Sequence, residues 1–263
     1  MDKIDSATLA FANRLADEAG AVIRPYFRQR LEVTDKGEHA FDPVTEADRR
    51  AEDAMRALIR AERPGDAILG EEHGFEPGTS GLTWVLDPID GTRAFITGQP
   101  LWGTLVALEE NGRRLLGIID QPVLGERFIG YPGVSEMRSA TGTTPLKTRA
   151  CARLSEAVVS TTHPWSYFTD GERAAFERMA RTSRMSRFGG DCYAYAMLAA
   201  GHIDIIIESA LKHWDVAALI PVIENAGGLV TDWSGAPVGE GGSIIAAGDA
   251  RAHREALALL NAG

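Results

Sequence analysis

Trp84-Val85-Leu86-Asp87-Pro88-Ile89-Asp90-Gly91-Thr92 is the stretch around which the rest of the chain is read. Trp84 to Leu86 is an apolar run, expected as a buried strand. It delivers two carboxylates, Asp87 and Asp90, three residues apart. Pro88 fixes one φ between them, and Gly91 permits a sharp bend or a close backbone approach. Two acids crowded at a strand end repel each other, so they make poor structure for its own sake. They make sense if hard cations sit between them. The stretch reads as a metal and phosphate centre.

The bulk of the chain sets limits on that reading. Its 263 residues suffice for one large domain or two lobes with a substantial core. Apolar content of 44% and charged content of 24% are ordinary for a globular protein and argue against disorder. A net charge of −10 speaks against a nucleic-acid partner. The same acidity is awkward for binding a phosphate, unless divalent cations invert the local field. Cys151 and Cys192 show no CxxC spacing, so a reducing compartment is expected. The first residues show no basic segment followed by an apolar one, and no run approaches the ~20 apolar residues of a membrane span. A soluble, cytoplasmic protein with no membrane partner is expected.

Outward from the centre, the spacing predicts a helix over 6–30 with Ser6 as N-cap. A second runs from Thr45, its N-cap, with Asp48 three residues on, to about Arg63. Ile68 to Gly70 is a short strand ending in Glu71-Glu72, and Gly74 to Gly81 a loop. Strands over 103–109 and 114–120 are joined by Asn111-Gly112, a hairpin signal, and 127–131 adds a third. The polar stretch 132–149 is the expected boundary between lobes 1–140 and 141–263. Beyond it, strands are expected at 157–161, 185–188, 203–207, 229–232 and 243–247. Helices are expected at 170–181, 192–200, 216–226 and 250–260, with Pro221 kinking the third or delaying its start.

Four acidic elements then line up: Asp48, Glu71, Asp87 with Asp90, and Asp215. Each alone has an ordinary reading. Asp215 suits an N-cap, Asp48 compensates a helix dipole, and Glu71-Glu72 suits a solvated pair. Together they suit Mg²⁺, which favours carboxylate and carbonyl oxygens. Ions ~3.5–4 Å apart would clamp a phosphoryl group and activate water. The six histidines form no HxH or HExxH pattern, and His213 reads as packing beside Trp214. No Cys-x5-Arg or P-loop pattern is present.

Across nearly its full length the chain resembles the inositol monophosphatase superfamily. The motifs are Asp42-Pro43-Val44-Thr45-Glu46-Ala47-Asp48, Gly70-Glu71-Glu72, the opening stretch, and Trp214-Asp215-Val216-Ala217-Ala218 with Glu224-Asn225-Ala226-Gly227-Gly228. The resemblance implies an α+β fold, a layered α-β-α-β-α sandwich in two lobes, and a homodimer. It implies roughly two or three Mg²⁺ per site, held by Glu71, Asp87, the Ile89 carbonyl, Asp90 and Asp215. Glu71 and Thr92 would orient the attacking water, with Asp48 assisting Thr92. Gly91 and Thr92, with Asp90 and Asp215 beside them, would receive the phosphate. Lys36 stands near a basic residue found in some members.

Arg187-Phe188-Gly189-Gly190-Asp191-Cys192-Tyr193 departs from the inositol phosphatases, which have a Gly-Thr-Ala-Ala-like loop there. It is similar to the histidinol-phosphate phosphatase branch, as is Thr92-Arg93-Ala94-Phe95-Ile96. Gly189, Asp191 and Glu208 then become substrate candidates. Two acids could pair with the ammonium and imidazole of histidinol phosphate, whereas inositol phosphate offers no such cation. The ordinary alternatives are a helix N-cap for Asp191 and an exposed strand end for Glu208. Rival expectations are a phosphatase for inositol phosphate, 3′-phosphoadenosine nucleotides or a sugar bisphosphate, and a non-catalytic binding protein of the same fold.

Overall fold

The computed structural model describes residues 4–30, 33–35 and 43–262. Lys36 and Asp42 lie outside the described residues.

Helix α1 (Ser6–Ile23) and helix α2 (Glu46–Glu62) open the chain, with a short ribbon, β1 (Thr34–Asp35) against β2 (Pro43–Val44), between them. Asp5 rather than Ser6 caps α1, its Oδ1 accepting the Thr8 N–H at 2.6 Å. The helix stops short of residue 30 because a single 3₁₀ turn containing Pro25 follows it, and proline has no N–H to continue the ladder. Thr45 caps α2 as expected, in a reciprocal box with Asp48.

The first sheet contains β3 (Ala67–Gly70), β4 (Gly74–Glu76), β5 (Leu82–Asp90), β6 (Gly103–Glu110), β7 (Arg113–Gln121), β8 (Glu126–Tyr131), β9 (Val134–Ser139) and β10 (Gly142–Pro145). Their order is β10-β9-β8-β7-β6-β5-β3-β4, with only β3 and β5 parallel. The short helix α3 (Thr92–Ile96) follows β5. Asn111 and Gly112 turn with φ of 50° and 81°, both positive, as a tight hairpin turn requires. Two expectations need correction. The segment 74–81 begins as a strand, and 132–149 is largely a strand pair at the sheet edge. Edge strands need little apolar sequence, and β10 is exposed throughout, so its composition resembles a link.

The second sheet begins at β11 (Val158–Thr161), after the first has run to Pro145. It continues with β12 (Met185–Phe188), β13 (Ile205–Leu211), β14 (Leu229–Asp232) and β15 (Gly242–Ala247), in the order β12-β11-β13-β15-β14. Its helices are α4 (Pro164–Tyr167), α5 (Asp170–Thr182), α6 (Asp191–Ala199), α7 (His213–Ala217), α8 (Leu219–Asn225) and α9 (Ala250–Leu260). The single helix expected over 216–226 is two. Pro221, third in α8, cannot donate back toward Ala217, so the chain breaks at Ala218 and restarts.

Three apolar clusters separate five layers. Helices α1 and α2 cover the first sheet, with Phe11 edge-on to Trp84 at 5.1 Å. Helices α6 and α8 fill the space between the sheets. Helices α5 and α9 cover the second. Gly117 and Gly130 let the α8 segment touch the first sheet backbone to backbone, since a Cβ on either would collide with Ala218 or Val222. The fold is the α-β-α-β-α sandwich expected.

Candidate active site

Between Asp87, opposite Leu105, and Asp90, opposite Gly103, strands β5 and β6 slip register. Four residues face three, so β5 has one extra residue, a bulge. Side chains alternate along a regular strand, and residues three apart would point to opposite faces. The extra residue turns Asp90 back to the side of Asp87. Pro88 suits this position because it has no N–H to give to the ladder. Thr104 Oγ1 donates to the Pro88 carbonyl at 2.8 Å, and the Ile89 N–H donates to Asp87 Oδ1 at 3.1 Å.

Asp215 arrives on α7, which packs against β5 and β6. Its carboxylate accepts the Lys212 N–H at 2.7 Å, so it ties down the helix start and also faces the two aspartates. Asp87, Asp90 and Asp215 each place a carboxylate oxygen within 4.8 Å of the others. Glu71, in the turn after β3, lies against Asp87. His213 is more than packing: its Nε2 pairs with Glu109 Oε1 at 2.9 Å, tying α7 to β6.

Burial, then repulsion from Glu71, Asp90 and Asp215, pushes the Asp87 carboxyl well above its usual range. Burial and the Asp191 charge push Asp90 up to about 7, against the hydrogen bond from Cys192. Burial and Asp90 raise Asp215, against the Lys212 N–H. A set of oxygens that repel one another, with no nitrogen or sulfur among them, fits hard divalent cations.

Asp48 is buried and does not line the cavity. It accepts from the Thr45 N–H at 2.9 Å and Thr45 Oγ1 at 2.5 Å, and burial lifts it to about 7. Thr92 Oγ1 donates to the Ile89 carbonyl at 3.1 Å, so two of the expected site groups bond to each other. Gly91 holds φ at 86°. A Cβ there would come within 2.9 Å of Asp191, which packs directly onto it.

The cavity has a volume of about 590 Å³. The carboxylate cluster shares its lining with Thr162, Tyr167, Asp191, Tyr195 and Glu208. Asp191 is not an N-cap. It is the first residue of α6, with φ at 42°, and makes no capping bond. The next N–H, that of Cys192, donates to Asp90 Oδ2 at 2.7 Å. Burial raises Asp191 to about 6, against the pull of Arg93. Glu208 is not an exposed strand end. It is 4% exposed and accepts from the Thr162 N–H at 2.7 Å and Oγ1 at 2.9 Å. Burial lifts it to about 8, in part against those bonds. Gly189 does not line the cavity; its N–H goes to the Thr161 and Thr162 carbonyls.

The sequence reading passed over Arg93, whose guanidinium stacks 4.9 Å from the Tyr167 ring centre, and Tyr195, whose buried hydroxyl has no partner among the described residues. Arg93 lies within Thr92-Arg93-Ala94-Phe95-Ile96, where nothing local marks it as a cavity residue. Tyr195 gave no signal, since a tyrosine in an apolar helix reads as core.

A sheet bulge that gathers acids for hard cations at the head of a cavity is the arrangement of a metal-dependent phosphatase. The chain belongs to the inositol monophosphatase family, whose model matches residues 5–262. It is 44% identical over 262 residues to the bifunctional phosphatase IMPL2, chloroplastic, of Arabidopsis thaliana, covering 95% of this chain and 74% of that one. It is 36% identical to a histidinol-phosphatase of Mycobacterium tuberculosis, over 98% of this chain and 99% of the other. Among solved structures, an inositol monophosphatase from Zymomonas mobilis superposes with a TM-score of 0.87 at 42% identity, covering 98% and 99% of the two chains. The protein is thus a phosphatase of this superfamily, acting on small phosphate monoesters. Among the described residues no helix is long and apolar enough to cross a membrane.

Proposed function

We propose that the chain hydrolyses L-histidinol phosphate to L-histidinol and phosphate, with Mg²⁺ as cofactor. The observation that supports this most is the pair of acids, Asp191 and Glu208, in the same cavity as the Asp87–Asp90–Asp215 cluster. Asp191 is close enough for its charge to help raise Glu208. A cationic group placed between them removes that repulsion, and charge-assisted hydrogen bonds are the strong ones. An uncharged polyol offers no such gain.

Glu71, Asp87, the Ile89 carbonyl, Asp90 and Asp215 would hold the cations, which when bound supply charge neutralisation and a more acidic water. Glu71 would accept a hydrogen bond from the attacking water. The Thr92 hydroxyl, already donating to Ile89, keeps its oxygen free to accept another. The backbone N–H groups of Gly91 and Thr92 would receive phosphate oxygens. Asp90 would hold the water that protonates the leaving alkoxide. Asp48, which lies outside the cavity lining, would assist Thr92.

The inositol 1-phosphate reading remains the rival, favoured by the likeness to the Zymomonas mobilis protein. Phosphate release from histidinol phosphate, inositol 1-phosphate and 3′-phosphoadenosine 5′-phosphate separates them. Histidinol phosphate should be preferred by at least about tenfold in kcat/KM, the worth of one charged hydrogen bond. Preference for inositol phosphate would overturn the reading of Asp191. Release that survives a chelator would overturn the role of the cations, and no release from any ester would favour a binding protein.

A further inference from the structure

Helix α2 buries two charges that the site as described does not use. Glu52 is 0% exposed and Arg56 3%, beside Ala51, Met55 and Ile59 on the face turned to the core. Burying a charge pair is costly unless every donor and acceptor is met. Here the partners are the turn that bears Glu71. Glu52 Oε2 accepts the Glu72 N–H at 2.8 Å, and Oε1 accepts the His73 N–H at 3.2 Å and Arg56 Nε at 2.7 Å. Arg56 in turn donates to the Gly74 carbonyl and to Glu76 Oε2.

The turn is therefore gripped at 72, 73 and 74 from beneath. The Glu71 N–H itself donates to the Leu86 carbonyl at 3.2 Å, one residue before Asp87. Gly70 completes the fit, because a Cβ there would collide with the Glu52 carboxylate. Left free, a turn bearing Glu71 would be driven from Asp87 by repulsion, which is one of the forces that raise Asp87. A cation would then have to order the turn as well as bind to it, at a cost in affinity.

We infer that Glu52 is a positioning residue for the divalent-cation site: it clamps the 71–74 turn and so sets the Glu71 carboxylate beside Asp87 before any cation arrives. The inference rests on Glu71 being a cation ligand, and it does not depend on which ester is the substrate.

Glu52→Gln keeps the shape of the side chain but turns an amide donor toward groups that are themselves donors. Mg²⁺ titrated calorimetrically into the full chain, without substrate, should bind about 10- to 100-fold more weakly to this variant, the usual loss when a group supporting a ligand is removed. kcat at saturating Mg²⁺ should change far less. Arg56→Lys, which retains the charge beside Glu52 but loses the forked grip on Gly74 and Glu76, should weaken Mg²⁺ in the same direction and substitutes for Glu52→Gln if that variant does not fold. Phe176→Leu, in the core beyond the second sheet, serves as a destabilised control whose Mg²⁺ affinity should stay at the parent value. Parent-like Mg²⁺ affinity in the folded Glu52 or Arg56 variant overturns the inference, as does an equal loss in Phe176→Leu. A chain that ignores histidinol phosphate but shows this pattern of Mg²⁺ affinities would sink the proposed substrate and leave the role of Glu52 standing.

Discussion

Asp87 and Asp90 stand at the end of a central strand, paired to β6 after its pairing with β3 has stopped at Leu86, with one bulge to aim them. Around Asp191 and Glu208, the end that would choose the substrate, the backbone is less comfortable. Asp191 has φ at 42°, and Ala210, two residues after Glu208, has φ at 63° in a strand that slips register against β15. Neither residue is glycine, and such conformations cost on the order of 1–3 kcal/mol each unless the surroundings enforce them. The end that would do the chemistry departs from regularity by a bulge and a glycine at positive φ, whereas the end that would choose the substrate puts residues other than glycine at positive φ. Strain of this kind persists where a side chain must be aimed at something, so the second end is where selectivity is expected to reside.

Substitutions at the two ends should therefore fail differently. Asp90→Asn should cost the most, about 10³-fold in kcat with the far-ultraviolet circular dichroism unchanged, since it removes a charge on which the reaction depends. Near-normal turnover would break the assignment of chemistry to this end. Asp191→Asn and Glu208→Gln should each cost about 10- to 100-fold in kcat/KM for histidinol phosphate. They should leave inositol 1-phosphate unchanged or improved. An equal loss on both esters would mean that the two ends are one machine.

The smallest effect is on stability. Asp48, Asp90, Asp191 and Glu208 sit at about 7, 7, 6 and 8 in the fold, against about 4 unfolded. A carboxyl whose folded pKa is raised contributes stability that is full below the unfolded value and lost as pH rises through the folded value. Surface acids with lowered pKa, such as Asp249, act in the opposite sense but finish titrating near their unfolded value of about 4. In the presence of a chelator the melting temperature should fall as pH rises from about 5 to about 8. Mg²⁺ should flatten that slope. A chelated protein that gains stability over this range would contradict the burial of these acids.

Much of the Asp87 and Asp90 end was legible because each device there has a local signature. Thr45 with Asp48 spells a capping box, Asn111-Gly112 a tight turn, and an apolar run ending in acids a strand that meets a site. The bulge was not legible, because register depends on the partner strand. Glu52 and Arg56 did leave a trace, two charges on a face otherwise lined by Ala47, Ala51, Met55 and Ile59, but an i,i+4 ion pair usually marks a solvated face. The strand pair β9 and β10 was missed because its stability comes from pairing, not from its own apolar residues. Asp191 stands out by resemblance, yet its left-handed backbone and its close packing on Gly91 have no signature in the sequence.

One helix start joins the two ends. Asp191 faces the substrate's expected cation, and the very next residue donates its N–H to Asp90. A molecule that pulls Asp191 out of place moves the donor on which Asp90 leans. An ill-fitting ester could then occupy the cavity and still find Asp90 mis-set, so discrimination would be expressed after binding, in turnover. Competing esters would behave as inhibitors that the enzyme holds but does not cleave, and the gap between them and the proper substrate would be wider in kcat than in Kd.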